Sequence, residues 1–523
     1  GYGTVKKSDL TGAVSTVSSQ DIVARGTTSP LSALQGQVAG ANITANSGLP
    51  GAGFDINIRG VNSLTGGNPL FVVDGVMTDN IDFLNPMDIE RIDVLKDASS
   101  TAIYGSRGSN GVVIVTTKSG NAMGGEVQFN YQNFTGIKTI SNMPDFLNAE
   151  EGLLWTQNRA ITVNLYRGEE VEDRGDYYHG FPAEGEDREY WENALSNRNF
   201  FNWPEEILRP SVQTNHFLSA SGGSETVNYM VGMGYQGDNG NIDGQYFRKY
   251  NFKGNIDINL DDKFMMGANI NLAYSERELK SVNAMKQLFR MPHWAPAYDE
   301  NGEVINIPMR GISGNTSPLA ELFANKYNDR NYYVISNFYL GYQPVDWLSL
   351  RSTFSPNIHF SRHGEYWDPA QTKSGAGGQM SMNQDFSYIW DNHLQAQKDV
   401  GDHSFQYDFI YSMQLDRNEY LYGFGWDLPF NSEFYNLGSA TYLNTSSNFQ
   451  KSTLMSFTNR FNYSFKDKYL LTATARWDGS SKLAPGNKWA SFPSAAVAWR
   501  MSEEDFLQDT DVNNLKLRLS YGY

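Results

Sequence analysis

The sequence predicts a mostly β chain: a transmembrane antiparallel β-barrel with a small N-terminal α+β domain. Three observations carry the prediction. Long runs after Val127 alternate apolar and polar residues with period two. Their apolar faces are rich in aromatics, and the opposite faces are Asn, Gln, Ser, Lys and Asp; this inverts a soluble barrel and suits lipid outside and water inside. Tight turns alternate with long connections, as the two rims of an outer-membrane barrel require. A large secreted β-sandwich or adhesin also fits alternating strands, and on the residues alone that alternative stays open.

The first ~120 residues have a different texture, richer in Gly, Ser, Val and Ile and poorer in aromatics. Apolar runs at 41–45, 54–58, 70–73, 89–95 and 112–117 are separated by Gly-rich turns and read as strands. Residues 29–38 read as a helix, with Ser29 as its cap and Pro30 at the first helical position. Residues 97–104 read as another, stopped by Gly105.

The strands beyond are long. In 251–260 the residues Phe252, Ile256, Ile258 and Leu260 oppose Asn251, Lys253, Asn255, Asp257 and Asn259. In 404–415 the residues Phe405, Tyr407, Phe409, Tyr411, Met413 and Leu415 oppose Ser404, Gln406, Asp408, Ser412 and Gln414. Runs at 264–274, 457–465 and 515–521 behave alike. Soluble strands average about five or six residues, whereas a tilted membrane strand needs about nine to eleven. Residues 260–263, 344–347, 400–403 and 465–468 read as tight turns; 276–330, 368–379 and 417–447 read as long loops. Residues 143–210 form another long segment with a helix at 148–158. About thirteen strands are expected after Val127, with no closing segment after Tyr523, so the barrel is expected to be cut in mid-course.

The totals exclude several functions. The chain has 523 residues, no cysteine and a formal net charge of −17. Thiolate metal sites, disulfide frameworks and Cys nucleophiles are therefore ruled out, and an acidic surface is a poor match for nucleic acid. Mean hydropathy is −0.49, a value that a barrel with alternating faces reaches as readily as a soluble protein. The sequence opens at Gly1 without a signal segment, so a processed or partial chain is expected.

Four motifs are recognisable: LQGQVAGANI (34–43), INIRGVNSL (56–64), PLFVVDGV (69–76) and LNPMDIERIDVLKDASSTAIYGSRGSNGVVIVTTKSG (84–120). In order and spacing they resemble the plug of TonB-dependent transporters, and specifically the SusC-like branch. FRKYNFKGNIDI (247–258), RWDGSSKLAPGNKWASFPSAAVAWRMSEEDF (476–506) and LKLRLSYGY (515–523) resemble barrel segments of the same branch. The resemblance implies a barrel of ~22 strands filled by the plug, of which this chain would hold about thirteen. It divides the chain into the end of the TonB-box and linker region (1–10), the plug (11–122) and the N-terminal part of the barrel (123–523). It implies an outer-membrane, multi-pass importer and not an enzyme. The cargo would be a large nutrient, with glycan oligosaccharides foremost and peptides second. A ferric-siderophore or vitamin receptor on the same fold is a further alternative. It also implies a SusD-like surface lipoprotein as lid, TonB with ExbB–ExbD as energy source, outer-membrane lipid around the wall, and a pair of transporter–lid units. No cofactor, metal or nucleic acid is implied.

A plug must be stable in a hydrated lumen yet yield when pulled. Arg59 and Arg107 sit beside glycines that let backbones approach. The resemblance implies that both pair with wall carboxylates as plug–barrel locks, through directional Arg–carboxylate forks. The alternative for these arginines is a local salt bridge inside the plug, such as to Glu90 or Asp97. The loop NSLTGGNP (62–69) offers Asn62, Ser63, Thr65 and Asn68 as hydrogen-bonding groups for a substrate, or is an ordinary turn.

Other chemistry is absent from the pattern. His359 and His363 share a strand face but lie about 13 Å apart, too far for one ion. GLPGAG (48–53) and GSRGSNG (105–111) lack the Lys-Ser/Thr of a phosphate loop. DNGNIDG (238–244) fails calcium-loop spacing and reads as a hairpin turn. No nucleophile elbow or paired carboxylates stand out, so no catalytic residue is assigned.

Overall fold

A computed structural model describes residues 14–60, 67–120, 125–168, 189, 196, 201–280, 282–309, 316–368, 375–429, 432–507, 512–513 and 515–522. The expected 1–10 segment and the expected boundary at 122/123 lie outside these residues.

The N-terminal unit contains β1 (Val14–Ser18), β2 (Ala41–Ala45), β3 (Phe54–Ile58), β4 (Leu70–Val73), β5 (Val76–Thr78), β6 (Ile89–Leu95) and β7 (Val112–Thr117). Five of them form a sheet in the order β1-β6-β7-β4-β5, with β4 and β7 parallel, and β2 and β3 pair separately. Ile22, Leu34, Ile81, Ile89, Ile92, Val94, Val113 and Val115 fill its core, so this domain is built like a soluble protein.

The helices here are shorter than the sequence predicts. The one expected over 29–38 is Pro30–Leu34, and Ser29 makes no side-chain cap bond. Gly36 (φ 74°) and Gly40 (φ 80°) turn the chain out of helical space. The one expected over 97–104 divides into Ala98–Thr101 and a 3₁₀ stretch at Ala102–Gly108, kinked at Gly105. A short helix at Ser19–Ala24 carries a Ser18/Asp21 capping box that sequence reading passed over.

The wall is a thirteen-stranded antiparallel sheet in strict chain order. Its strands are β8 (Gln128–Lys138), β9 (Ser211–Gly223), β10 (Val227–Asn239), β11 (Tyr246–Asn259), β12 (Phe264–Lys280), β13 (Asn325–Val345), β14 (Leu348–Trp367), β15 (Gly377–Val400), β16 (His403–Trp426), β17 (Tyr442–Phe465), β18 (Tyr469–Ser480), β19 (Trp489–Arg500) and β20 (Lys516–Gly522). The four tight turns fall where expected. The long loops are shorter than expected: β12 runs to Lys280, β13 starts at Asn325, β16 runs to Trp426 and β17 starts at Tyr442. Residues 442–451 are exposed throughout. Strand tops with water on both faces need no apolar alternation, which is why they read as loop. The helix expected at 148–158 extends over Ala149–Arg167.

The outer face is apolar. Phe129, Tyr131, Leu340, Trp390, Trp477 and Val497 are among the large exposed side chains. On the long-loop side, rings from seven successive strands stand side by side: Tyr131, His216, Tyr235, Tyr250, Tyr274, Tyr332 and Phe360, with centroids 4.9–6.2 Å apart. Such a girdle marks a membrane interface. Among the described residues no helix is long and apolar enough to cross a membrane, which leaves crossing by strands untouched.

Candidate functional site

The site is the seam between the N-terminal domain and the wall, with the cavity above it. It begins with alternation on β11. Lys249, Asn251 and Lys253 share the inward face, and each meets the domain. Lys249 Nζ donates to the carbonyls of Asp82 (2.6 Å) and Leu84 (2.8 Å), and Asn251 Nδ2 to that of Phe83 (2.5 Å). Lys253 Nζ reaches Asp88 Oδ1 at 3.3 Å and also donates to Thr117 Oγ1 and the Lys118 carbonyl. Lys253 and Asp88 are both almost fully buried. A buried cation satisfied by three acceptors is costly to strip of any one of them. Beside this line, Asn85 and Asn215 exchange side-chain amide hydrogen bonds of 2.9 and 3.1 Å.

Burial sets the ionisation along the domain's edge. It pushes the Asp88 carboxyl up to about 7, against the pull of Lys253. Burial also raises Asp82 and Tyr104 and lowers Lys118.

Two turns add further contacts. The Asp74-Gly75 pair has φ of 47° and 91°, as a tight hairpin requires. Asp74 accepts from Thr117 N (2.9 Å) and Thr117 Oγ1 (2.6 Å) within the domain, and from Asn269 Nδ2 of β12 (2.8 Å). At the other turn, Arg476 of β18 donates to the Ile103 carbonyl, Asp478 (2.7 Å) and Ser456 (3.0 Å). A Cβ on Gly105 would lie 2.5 Å from Arg476 Nε, and its φ is +60°, so this position admits only glycine.

The two arginines singled out by sequence part company. Arg107 reaches the wall: its Nη1 donates to Gln414 Oε1 of β16 at 2.6 Å, and Asp79 lies 3.9 Å away within the domain. Its wall partner is an amide, where a carboxylate was expected. Arg59 takes the local alternative, with 2.5 Å to Asp97 and 3.0 Å to the Lys96 carbonyl, and its side chain is 52% exposed.

Above the seam, on the side of the long connections, lies a cavity of about 1080 Å³. The domain contributes Thr78, Asp79, Asn80 and Arg107 to it. Inward positions of the wall contribute Tyr333, His359, Asp385, Gln414, Asp416 and Asn418. These groups are pre-ordered among themselves: His359 stacks on Tyr333 at 4.2 Å, and Asn418 donates to Asp385 at 2.6 Å. His363 pairs separately with Asp329 at 2.5 Å. Asn68 is exposed and is not among the cavity's lining; Asn62, Ser63 and Thr65 lie outside the described residues.

Residues 6–112 match the family model of the TonB-dependent receptor plug domain. Over its whole length the chain is 34% identical to TonB-dependent receptor P26 of Formosa agariphila and covers 52% of it. It is 32% identical to TonB-dependent receptor SusC of Bacteroides thetaiotaomicron, again covering 52%. The chain thus carries a plug-domain match and is similar over its whole length to SusC and other TonB-dependent receptors. It spans about half the length of the curated relatives it matches. Its fold superposes on a structure of the RagAB peptide importer in an open-open state with a TM-score of 0.84 and 23% identity, over 100% of this chain and 60% of that one.

In this SusC-like chain, the motif-bearing Gly105, Arg107 and Asp74 all touch the wall. They meet Arg476, Gln414 and Asn269 respectively, while Lys249 and Lys253 meet neighbouring plug residues; of these wall groups only Lys253 and Gln414 were legible as members of a polar strand face. A lysine at an inward position was the available signal, since a charge in the lumen needs an acceptor.

Proposed function

We propose that this chain is part of an active importer that carries a large nutrient across the outer membrane, driven through TonB with ExbB–ExbD. The observation that supports this most is the seam. A domain with its own sheet and core meets the wall through a row of hydrogen bonds and a buried ion pair, with Ala273, Ile335, Ile389 and Ile410 of the wall joining its apolar clusters, and the polar contacts can be exchanged for water when the domain is pulled. Arg107 acts as a plug–wall lock on this reading, and Arg59 holds the plug's own geometry.

Glycan oligosaccharides are the proposed cargo, recognised in the cavity above the plug. Its inward lining of Asn, Gln, Asp, Tyr and His offers donors and acceptors for hydroxyls and an aromatic face for a sugar ring. A peptide cargo is the second reading, favoured by the peptide importer of like fold and by the cavity's carrying Arg107 and several aspartates together. A SusD-like lipoprotein would close over the long-loop side, and transporter–lid units would pair. The test is uptake by cells carrying the full-length transporter. Loss of growth on one oligosaccharide class in a deletion strain, restored by the gene and abolished by dissipating the proton gradient, is expected. Unchanged uptake of every glycan and peptide fraction would overturn the reading.

A further inference from the structure

The wall's outer face is mostly apolar, and among its few polar side chains, which include Asn459 accepting from Tyr407, one pair sits in a groove. Ser352 of β14 and Asn392 of β15 are register partners. They share parity with their neighbours Phe354 and Trp390, which are 43% and 42% exposed on the outer face. Trp390 Nε1 donates to Ser352 Oγ at 3.0 Å, and Ser352 Oγ donates to Asn392 Oδ1 at 2.9 Å. Among the described residues the Asn392 amide N–H groups donate to nothing. Around this short pair the wall dips into an apolar groove of about 510 Å³, walled by Phe264, Leu340, Leu350, Leu394 and Phe409.

An amide with unused donors on a lipid-facing wall is expensive unless lipid itself supplies the acceptor. The groove's level says which acceptor is at hand. Ser352 stands five residues past Trp347 in the tight turn, roughly 12 Å up a tilted strand. The stacked Phe264–Tyr342 pair, with centroids 4.5 Å apart, lies at the same rim. By register Ser352 lies two residues, about 5 Å, to the lipid-core side of that aromatic pair, within reach of the ester carbonyls where acyl chains begin if the pair marks the interface. We propose that the groove is a binding site for one phospholipid of the leaflet at the short-turn rim. An acyl chain lies along Leu340, Leu350 and Leu394, and an ester carbonyl accepts from Asn392. The proposal rests on reading this face as lipid-exposed and is independent of what the transporter carries.

The test is native mass spectrometry of the full-length transporter, purified from outer membranes and taken through repeated detergent exchange. Wild type is expected to keep a phospholipid adduct. The Ser352→Leu/Asn392→Leu pair fills the dip and removes the amide, and should lower the bound fraction about tenfold, the scale of a lost hydrogen bond plus lost packing. Leu340→Trp, which blocks the groove without touching the polar pair, should do the same. The heat-dependent gel shift reports that each variant is folded. No adduct on wild type, equal adducts on all three proteins, or a lipopolysaccharide or second copy of the chain in its place would overturn the site. Lipid loss from the variants with wild-type uptake intact would leave the transport reading standing; wild-type lipid retention without any uptake would sink transport alone.

Discussion

The plug and the wall use the same residues in opposite directions. In the plug, Leu34, Ile92 and Val113 are fully buried and polar groups face outward. In the wall, Leu340 is 64% exposed on the outer face while Lys253 and Arg476 are buried on the inner one. The first arrangement answers to water on all sides, the second to lipid outside and a wet lumen inside. Where the two meet, the wall's polar face serves as the plug's solvent, and fixed amides and ammonium groups replace water molecules.

Lys253→Met is the hardest blow to that replacement. It leaves Asp88 buried without its cation and should weaken plug docking by about 3–5 kcal/mol. The chain has no cysteine, so one introduced on the plug reports undocking by its labelling rate in urea. An unchanged rate would mean the seam is not held at this point. Leu34→Ala against Leu340→Ala separates the two architectures. The plug substitution should cost about 2–5 kcal/mol, while the wall substitution, where lipid takes the place of the lost methyls, should cost less than about 1 kcal/mol. Comparable losses on thermal melting would erase the distinction.

Arg107→Ala against Arg59→Ala sharpens the account of locking. Arg107 should lose about 1.5–3 kcal/mol of docking through its hydrogen bond to the wall. Arg59, in a half-exposed pair, should lose less than about 1 kcal/mol. Equal leakage of a small dye through both variants would remove Arg107's special place. A separate effect concerns pH. The Asp88 carboxyl, near 7 when docked, holds its proton more tightly there than in water, where it titrates near 3.8. Its contribution to docking is therefore full in acid and is lost as pH rises from about 4 through 7. Asp88→Asn should flatten that slope; a slope that persists would belong to another group.

Much of this was legible. Five plug strands fall at their expected bounds because Gly-rich turns punctuate them, and the four tight turns of the wall fall where alternation stops. Strand β1 was missed since Val14 and Val17 break period two, and β5 since three residues carry no period at all. The wall tops were misread for the converse reason: strands wet on both faces show no alternation. The seam was hardest. Lys253 meets Asp88 from 165 positions away, and nothing local to either residue names the other. Arg107 could be singled out by its glycine neighbours, but Gln414 as its partner could not.

The 24-residue strands β15, β16 and β17 have a consequence for whatever approaches from outside the cell. At about 3.3 Å per residue and a tilt near 40°, each stands roughly 60 Å tall, about twice the hydrocarbon thickness. The wall thus rises from the membrane as a chimney. An antibody, a phage tail fibre or a protease arriving at the surface would meet hydrogen-bonded sheet well before lipid, and cleavage or recognition there would be confined to the rim of that chimney.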